Sequence, residues 1–468
     1  MFYLKRTLDL LCALVIQRQL ARHEQWSPDD LARHRQQHFD ALVRHAIKNS
    51  RFYQQHYADV CTDGAIALTS LPITNKKLMM DNFDDVVTDQ RLKLADLQEH
   101  IQGLEEDAYY LGEYRAVATS GTSGLRGIFV YNRREWSMVL ANTLRWNRYI
   151  GIRPRLPKRV RITSIGADAP MHVTYRIPQS ANVGLFRVQH LEANAPMSEL
   201  TRALNVFQPH VILPYPSMAA LLAVEQMEGR LNIRPNVIST HSEVLTTDMF
   251  RKIEEAWGIK PFNHYGLTEE PHVGTDCTQH EGIHVFEDLT FPEILDEKNQ
   301  PVPAGTPGHK YLLTNLYNFT QPLIRYEVTD MISRSPRLCS CGRPFPLIEG
   351  VGGRSEDILY LNGPDDRTVP VPPLVFELCI EAFPEVAECQ TLHQPGLIKL
   401  NVVCREGSDL NILKSNMIER LRSSLQSLGA VPPEIDVEFV DELKRLGAKM
   451  GKIKLVGAAA PSSSSDRN

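Results

Sequence analysis

Apolar residues over the first hundred positions of the chain recur at helical spacing. Ser27 is a residue type that caps helices, and Pro28 suits the first helical position. The apolar residues after this pair keep the helical spacing as far as Ile47. The pattern therefore predicts a mostly helical segment over residues 1–110.

From residue 111 to residue 353 short apolar runs alternate with amphipathic segments. The runs predict strands at 128–131, 159–165, 210–213, 236–240 and 260–263. The amphipathic segments predict helices at 136–144, 198–207, 218–226 and 246–257. This alternation indicates an α/β core with a largely parallel sheet. Ligands of such sheets bind outside the carboxyl ends of the strands, where segments 214–217, 241–243 and 265–269 fall.

The pattern changes twice more before the chain ends. Over residues 291–328, short β segments broken by proline and glycine predict an antiparallel sheet. A separate small α+β domain is predicted over residues 354–457, from helices at 374–382 and 410–425 and strands at 398–404 and 435–440. Residues 458–468, rich in alanine and serine, predict a disordered tail.

Composition narrows the classes of partner and compartment. The chain has 468 residues, of which 43% are hydrophobic and 23% charged, and its net charge is -5. Because this balance gives no basic surface for a polyanion, we expect no nucleic-acid partner. Eight cysteines are too few for a disulfide framework in a chain of this length and indicate a reducing compartment. We therefore expect a cytoplasmic protein.

An apolar run at residues 10–16 raises the question of a membrane or signal segment. The run is shorter than the roughly 20 residues that a transmembrane helix needs, and no small-residue cleavage site follows it. We expect no transmembrane segment. The preferred prediction is an amphipathic helix that packs on the body of the protein, and the second alternative is one that lies on a membrane surface.

The segment 119–127 carries three glycines and four hydroxyl residues in nine positions. Glycine permits the positive φ angles that turn successive amides toward one anion, and the hydroxyls add small donors. The segment therefore predicts a loop that holds the phosphates of ATP, through Thr119, Ser120, Gly121, Thr122, Ser123, Gly124 and Arg126. No Lys-Ser/Thr pair ends the loop and a strand follows it, so a glycine-rich hairpin fits better than a Walker P-loop. A flexible connection without a ligand is the alternative.

Six motifs in order resemble the adenylate-forming superfamily and, within it, the phenylacetate-CoA ligases and their relatives. They are the loop 119–127, Tyr265-Gly266-Leu267-Thr268-Glu269, Leu323-Ile324-Arg325-Tyr326 with Asp330, Cys339-Ser340-Cys341-Gly342-Arg343, Gly353-Arg354-Ser355-Glu356-Asp357 and Gly451-Lys452-Ile453-Lys454. The resemblance implies a large N-terminal adenylate-forming domain of mixed sheets and helices. It also implies a small, mobile α+β C-terminal domain with a hinge at Glu356-Asp357.

The same resemblance implies two half-reactions and a role for each motif. ATP and a carboxylic acid would give acyl-AMP, and a thiol, usually that of CoA, would then displace AMP. Thr268 would bind the α-phosphate, and Glu269 would supply an oxygen ligand to Mg²⁺. Lys452 would stabilise charge on the carboxylate oxygen and the leaving phosphate. Further nucleotide contacts would come from Glu243, Tyr265 (adenine), Gly266, Asp330 (ribose) and Arg354.

Each of these roles has a structural alternative. The alternative role of Tyr265 is that of a core aromatic residue, and the alternative role of Asp330 is that of a turn residue. Lys452 belongs to a basic cluster near the carboxyl end, and such clusters commonly form a solvated face.

The chain departs from the family pattern at three places. Leu125 stands where the family commonly has lysine, segment 325–330 lacks a positive charge and a glycine, and the glycine-rich continuation after Asp357 is replaced. These departures leave the acceptor open: CoA first, then a carrier-protein thiol, an amine, or transfer of the adenylyl group. A nucleotide-binding homologue without turnover is another alternative. The expected substrate is an aryl or small carboxylic acid, and a homodimer is a further expectation.

Cys339 and Cys341 are similar to the cysteines of a zinc site in some relatives, and Cys277 with His284 are the natural further ligands. Four nitrogen and sulfur ligands would form a closed, tetrahedral structural site for Zn²⁺. His280 competes with His284 for the fourth position. The alternative is a set of reduced, loosely buried thiols without a metal.

Overall fold

A computed structural model describes residues 2–119, 127–154, 158–166, 169–181, 184–193, 195–354, 359–364, 368–371, 375–376, 379–380, 382–383, 385–394, 396–405, 409–427, 429–443 and 456–458. The chain divides into two compact units. The first unit comprises Met1–Val328 and Ile332–Val351. The second comprises Thr329–Met331 and Gly352–Ala448.

The α-helices of the described residues are α1 (Phe2–His23), α2 (Pro28–Asn49), α3 (Arg51–His56), α4 (Lys76–Asp81), α5 (Phe83–Val86), α6 (Leu94–Gln102), α7 (Arg133–Tyr149), α8 (Val173–Ala181), α9 (Met197–Phe207), α10 (Pro216–Met227), α11 (Thr247–Trp257) and α12 (Leu410–Ser427). A short 3-10 helix covers Leu68–Ser70.

The strands are β1 (Tyr114–Ala118), β2 (Ile128–Asn132), β3 (Arg161–Gly166), β4 (Arg187–Glu192), β5 (Val211–Leu213), β6 (Val237–His241), β7 (Phe262–Tyr265), β8 (Gly274–Thr275), β9 (Ile283–Val285), β10 (Thr290–Leu295), β11 (Lys310–Asn315), β12 (Tyr326–Val328), β13 (Asp330–Arg334), β14 (Leu347–Arg354), β15 (Leu359–Asn362), β16 (Thr368–Val371), β17 (Val386–Gln394), β18 (Leu397–Cys404), β19 (Glu434–Phe439) and β20 (Val456–Ala458).

Helix α2 begins as its sequence predicts. The Ser27 side chain accepts a hydrogen bond from the amide of Asp30 at 3.1 Å, and the Asp30 carboxylate accepts from the amide of Ser27 at 3.4 Å. This reciprocal pair is a capping box, which satisfies amides that have no partner within the helix. The predicted cap and the predicted proline start are both confirmed.

Helix α1 packs against α7 in the first unit. Ala13, Ile16 and Leu20 are buried, whereas Leu11 and Val15 are exposed. The prediction that this helix packs on the body is confirmed, but the prediction that it is amphipathic is wrong, because apolar side chains lie on both faces. No helix among the described residues is long and apolar enough to cross a membrane.

A nine-stranded sheet dominates the first unit, with the strand order β13-β14-β9-β8-β7-β6-β5-β3-β4. The five strands from β4 to β7 pair in parallel, in the order β4-β3-β5-β6-β7. The pairs β7-β8, β8-β9 and β9-β14 are antiparallel. The sheet is therefore parallel only over the region of strand-helix alternation, and the expectation of a largely parallel sheet holds for that half alone.

Two smaller sheets complete the first unit and match the sequence pattern. Strands β1 and β2 form an antiparallel hairpin, with Ala118 opposite Ile128. Strands β10, β11 and β12 form a three-stranded antiparallel sheet. Both the hairpin around the glycine-rich loop and the antiparallel region over 291–328 are therefore confirmed.

The second unit has its own hydrophobic core and an α+β composition. Its four-stranded sheet has the order β19-β18-β17-β20, and β15 pairs with β16. Helix α12 contributes Leu413, Met417 and Leu421 to the core. Of the predicted helix at 374–382, the residues 375–376 and 379–380 are helical, and the other positions lie outside the described residues or outside the helix. The disordered tail was predicted over residues 458–468; Ala458 instead ends β20, and residues 459–468 lie outside the described part.

Candidate functional site

The carboxyl ends of parallel strands lie side by side at one edge of the large sheet. After β5, the ring of Tyr215 contacts His241, which ends β6, with ring centroids 5.5 Å apart. A Cβ atom at Gly166, which ends β3, would lie 3.5 Å from the Tyr215 hydroxyl. Ser242 follows β6 with φ of 70°, a conformation that non-glycine residues rarely adopt and that recurs at functional sites. The predicted convergence of strand ends is therefore present.

Glu243 lies at the same edge and contacts the start of a helix. Its Oε2 atom accepts a hydrogen bond from the amide of Ser217, in the first turn of α10, at 3.1 Å. A carboxylate at this place satisfies an amide that the helix itself leaves unpaired. The structure thus assigns Glu243 a helix-capping contact, and its predicted contact with the nucleotide stays a prediction.

The chain leaves β7 through a turn that requires glycine. A Cβ atom at Gly266 would lie 2.2 Å from the carbonyl oxygen of Pro271, a distance that no side chain permits. The amide of Leu267 donates to the carbonyl of Glu270 at 2.8 Å and closes the turn. This turn presents Thr268, which is half-buried, and Glu269, which is 8% exposed.

Two of the six motifs meet at Glu269. The Tyr326 hydroxyl, at the start of β12, donates to the Glu269 carboxylate at 3.0 Å. From β2, the Tyr131 hydroxyl donates to the Glu269 carbonyl at 2.7 Å. These bonds fix both the backbone and the side chain of Glu269. The contact with Tyr326 was not predicted, because sequence order carries no information about which motifs touch.

The neighbouring Glu270 has a different environment and was missed by the sequence analysis. It is fully buried, and its carboxylate accepts hydrogen bonds from Asn315 and, at 2.9 Å, from the Tyr317 hydroxyl. Burial raises the pKa of Glu270 well above its usual range. The turn therefore carries one interior carboxyl that braces the core and one carboxylate nearer to the crevice.

Arg325, the arginine of the third motif, is also buried and paired within the protein interior. Its guanidinium bonds to both oxygens of Glu293, at 3.0 and 2.8 Å, and it is 6% exposed. Its φ of 47° is unusual for a non-glycine residue. Because Arg325 is paired with Glu293, it is Tyr326 that provides the contact of this motif with Glu269.

The structure describes only some of the other residues that were predicted to bind the nucleotide. Thr119 and Gly127 close the base of the glycine-rich loop, with Thr119 N donating to Gly127 O at 2.9 Å and Gly127 N to Thr119 Oγ1 at 2.8 Å. Tyr265 is 6% exposed within the main core, and Asp330 is buried at the start of β13. Outside the described residues lie Ser120, Gly121, Thr122, Ser123, Gly124, Arg126, Glu356, Asp357, Lys452 and the side chain of Arg354.

A second site lies in the first unit, where the structure brings together Cys277, His284, Cys339 and Cys341. One ligand atom from each residue lies within 4.8 Å of every other. Cys277 Sγ is 3.6 Å from Cys339 Sγ, and Cys341 Sγ is 3.5 Å from His284 Nε2. A tetrahedral zinc ion would set these edges at roughly 3.7 Å and roughly 3.5 Å, given its usual ligand distances. The donor set therefore fits zinc in both chemistry and spacing.

Neighbouring groups orient these four side chains. His284 Nδ1 lies 3.3 Å from the carbonyl oxygen of Phe345, which fixes Nε2 as the nitrogen directed at the cysteines. The amides of Gln279 and Cys341 donate to the Cys277 and Cys339 sulfur atoms, each at 3.5 Å. His280, the competing candidate, instead bonds to Asp276 at 2.8 Å.

A chain of buried histidines lies beneath the strand ends. His272 Nδ1 is 3.1 Å from His264 Nε2, and His272 Nε2 is 2.8 Å from the Thr143 hydroxyl. The His264 ring stacks on Trp146 with centroids 4.4 Å apart. Burial, assisted by the charge of His241, lowers the pKa of His264 to about 3. Burial likewise lowers the pKa of His272 well below its usual range. Both rings are therefore neutral in the folded protein at pH 7.

These rings predict a loss of stability in acid. The pKa of His264 is lower in the folded protein than in the unfolded chain. The contribution of this residue to the free energy of unfolding is therefore complete above pH ~6.5 and is lost as the pH falls toward 3. The free energy of unfolding should fall by about 2 kcal/mol between pH 7.5 and pH 5 through His264 alone. His264→Phe keeps a ring against Trp146 but has no group that titrates. Its free energy of unfolding, measured by urea denaturation, should therefore fall less than that of wild type between pH 7.5 and pH 5. An equal dependence of the free energy of unfolding on pH in the wild type and in His264→Phe would contradict the account.

The sequence of this chain is similar to those of several curated proteins. No family model matches the chain. It is 34% identical over 189 residues to the phenylacetate-coenzyme A ligase of Thermus thermophilus, covering 38% of this chain and 41% of the relative. It is 27% identical over 277 residues to the ligase of the same name from Escherichia coli (strain K12), covering 53% and 57%. The chain thus spans about half the length of the curated relatives it matches.

Solved structures extend the likeness over nearly the whole chain. The 2-hydroxyisobutyryl-CoA ligase in complex with R3-HIB-AMP has a TM-score of 0.74 at 18% identity, covering 94% of this chain and 92% of that one. The anthranilate CoA ligase AuaEII in complex with anthranoyl-AMP has a TM-score of 0.52 at 18% identity, covering 72% and 64%. The chain therefore has the fold of these CoA ligases and resembles the phenylacetate-CoA ligases in sequence, as its motifs predict.

Proposed function

We propose that this chain is an AMP-forming carboxylate-CoA ligase. In the first half-reaction, a carboxylate oxygen of the acid attacks the α-phosphorus of ATP and pyrophosphate leaves. In the second, the thiol sulfur of CoA attacks the acyl carbon of the acyl-AMP and AMP leaves. The observation that carries the proposal is the turn after β7, where a glycine without room for a side chain holds Glu269 against Tyr326, a residue of another motif.

The residues of this turn suit the first half-reaction. The Thr268 hydroxyl is a donor for an α-phosphate oxygen, and the Glu269 carboxylate is the hard oxygen ligand that Mg²⁺ prefers beside phosphates. The bonds from Tyr131 and Tyr326 hold Glu269 in one position, so little ordering is needed when the nucleotide binds. The pairing of Thr119 with Gly127 supports the proposal that the segment between them, including Arg126, binds the phosphates.

The acid is proposed to be an aryl or small carboxylic acid. The relatives are named for phenylacetate, 2-hydroxyisobutyrate and anthranilate, all of which are compact acids. In this chain Tyr215 and His241 form an aromatic pair at the strand ends, which suits a flat or compact acyl group.

One experiment, the dependence of AMP release on the acceptor that is added, identifies the acceptor of the acyl group. Release of AMP from ATP and the acid should depend on CoA, because the thiol is needed to break the acyl-phosphate bond. AMP release that requires a carrier protein or an amine instead would keep the adenylation half and replace the acceptor. Modification of an acceptor by AMP would indicate adenylyl transfer. A fourth outcome, motivated by Leu125 where the family commonly has lysine, is nucleotide binding without turnover.

We also propose that Cys277, His284, Cys339 and Cys341 hold a structural Zn²⁺. With four protein ligands the site would be closed, so the ion would supply a cross-link between β9 and the loops after β8 and β13, and no open position for substrate. All eight cysteines are free thiols in the structure, which accords with the proposed cytoplasmic compartment. A homodimer and a mobile second unit remain part of the proposal.

The zinc proposal predicts about one equivalent of zinc per chain in protein purified without chelator, by analogy with closed four-ligand sites. Cys339→Ser should lose the metal and lower the melting temperature, because a metal that binds only the folded state adds its binding free energy to stability. The matched control is Cys379→Ser, a buried cysteine of the second unit, which should keep its zinc. A metal-free wild type whose melting temperature Cys339→Ser leaves unchanged would overturn the proposal.

A further inference from the structure

The outer face of α1 carries apolar side chains that the described residues of the first unit leave about half exposed. Leu8, Leu11 and Val15 follow one another at helical spacing and are 49%, 55% and 57% exposed, with Leu14 beside them at 47%. We call these four residues the α1 patch. Single exposed apolar residues are common, whereas four adjacent ones on one helix are typical of an interaction surface.

Buried polar contacts hold this helix in its present rotation. Near its start, the buried Asp9 carboxylate bonds to Arg115 at 3.3 Å and to Arg133 at 2.9 Å. At its end, His23 Nδ1 bonds to the buried Asp288 carboxylate at 2.7 Å. Because breaking a buried ion pair is strongly unfavourable, α1 cannot turn to bury the outer leucines. The α1 patch is therefore presented outward by a fixed scaffold.

The exposed charged side chains of α1 itself have one sign, and a neighbouring acid is Glu113, in the loop that Lys5 contacts at the start of the helix. The exposed side chains described in α1 are Thr7, Leu8, Leu11, Leu14, Val15, Arg18, Gln19 and Arg22. None is acidic, and the row of the patch continues into Arg18 and Arg22 at the same spacing. In α7, against which α1 packs, the two exposed residues are Arg134 and Arg148, and Arg148 pairs with Glu24 at 3.1 Å. A surface with apolar residues in its middle and cations at its borders is complementary to a negatively charged lipid surface.

A second copy of the chain fits this surface less well. A stable dimer buries roughly 800 Å² on each partner, which four side chains of one helix do not supply. A two-fold contact would also bring the arginines of both copies to one interface, with no exposed acid of α1 to pair with them.

We propose that α1 docks the protein on anionic lipid bilayers, with the α1 patch entering the headgroup region and Arg18 and Arg22 contacting lipid phosphates. The helix would lie along the surface, since it is not apolar enough to cross a membrane. This inference is independent of the proposed reaction. It assigns a role to the amino-terminal apolar run, which the reaction does not use.

Vesicle flotation with the full chain tests the proposal. Wild type should float with vesicles of phosphatidylcholine and phosphatidylglycerol, and less with phosphatidylcholine alone or in high salt. The double variant Leu11→Glu, Val15→Glu should bind these vesicles at least about tenfold more weakly than wild type. It removes apolar contact and adds two negative charges, which the anionic lipids repel. The matched control is Val206→Glu on α9, where the wild-type valine is 82% exposed, and it should bind like wild type.

Circular dichroism and the melting temperature establish that the variants are folded, whether or not the ligase reaction is present. Equal flotation of wild type and the double variant would overturn the proposal. Light scattering supplies the other overturning result: a wild-type dimer that the double variant converts to a monomer would make the α1 patch an interface between copies of this chain.

Discussion

Glu269→Gln is expected to lower acid-dependent pyrophosphate exchange by a factor on the order of 10² or more, by analogy with removal of one preorganised charge contact. The substitution keeps the volume of the side chain and an oxygen that can accept from Tyr326, 3.0 Å away in wild type. It removes the negative charge that Mg²⁺ needs from its ligand. The fold should remain intact, so the variant should melt near the wild-type temperature while its exchange rate collapses.

Two neighbouring variants separate the charge of Glu269 from its surroundings. Glu270→Gln changes the adjacent, fully buried carboxyl, whose pKa burial already raises, so it should keep most of the exchange activity. Tyr326→Phe removes the hydroxyl that positions Glu269 and should produce an intermediate loss. A Glu269→Gln protein that exchanges pyrophosphate at the wild-type rate would show that the metal contact lies elsewhere.

Lys452→Ala is expected to separate the two half-reactions. We propose that Lys452 places a positive charge beside the carboxylate oxygen and the leaving phosphate, so acyl-AMP formation should fall by about 10²-fold or more when that charge is removed. Attack of CoA on an acyl-AMP that is already formed does not need that charge, so thioester formation from synthetic acyl-AMP should be largely spared. Pyrophosphate exchange measures the first step, and product formation from synthetic acyl-AMP and CoA measures the second.

The nearby Lys454→Ala supplies the control for this test, because it removes the same charge from the same basic cluster. It should leave both half-reactions near the wild-type rate. Equal losses in both half-reactions for Lys452→Ala would make Lys452 a stability residue. No loss in either would place it on the solvated face that basic clusters near chain ends commonly form.

Local signals were readable from the sequence because they depend on neighbours along the chain. The capping box at Ser27, the hairpin around the glycine-rich loop and the alternation of strands and helices each follow from residue types at fixed spacing. The set of four zinc ligands was also named from the sequence, and the structure brings those residues together. Its distances then favour His284 over His280, a choice that spacing left open.

Elements whose burial depends on distant partners were not readable. Strand β4 lies at the edge of the sheet and is half-exposed, so it has no apolar run, and α8 contains Pro178, which weakens its helical signal. The antiparallel half of the sheet depends on β14 returning beside β9, more than fifty residues later in the chain. The Glu269–Tyr326 contact and the Asp9 ion pairs that fix α1 likewise join residues far apart in sequence.

The central claim, that the chain converts a carboxylic acid to acyl-AMP, is tested most directly by ATP–pyrophosphate exchange with the wild-type protein. The assay would present labelled pyrophosphate, ATP and Mg²⁺ with aryl and short-chain acids one at a time. The account predicts exchange that requires the acid and that is strong for at least one compact acid. A protein that binds ATP, yet exchanges pyrophosphate with none of these acids, would contradict the account.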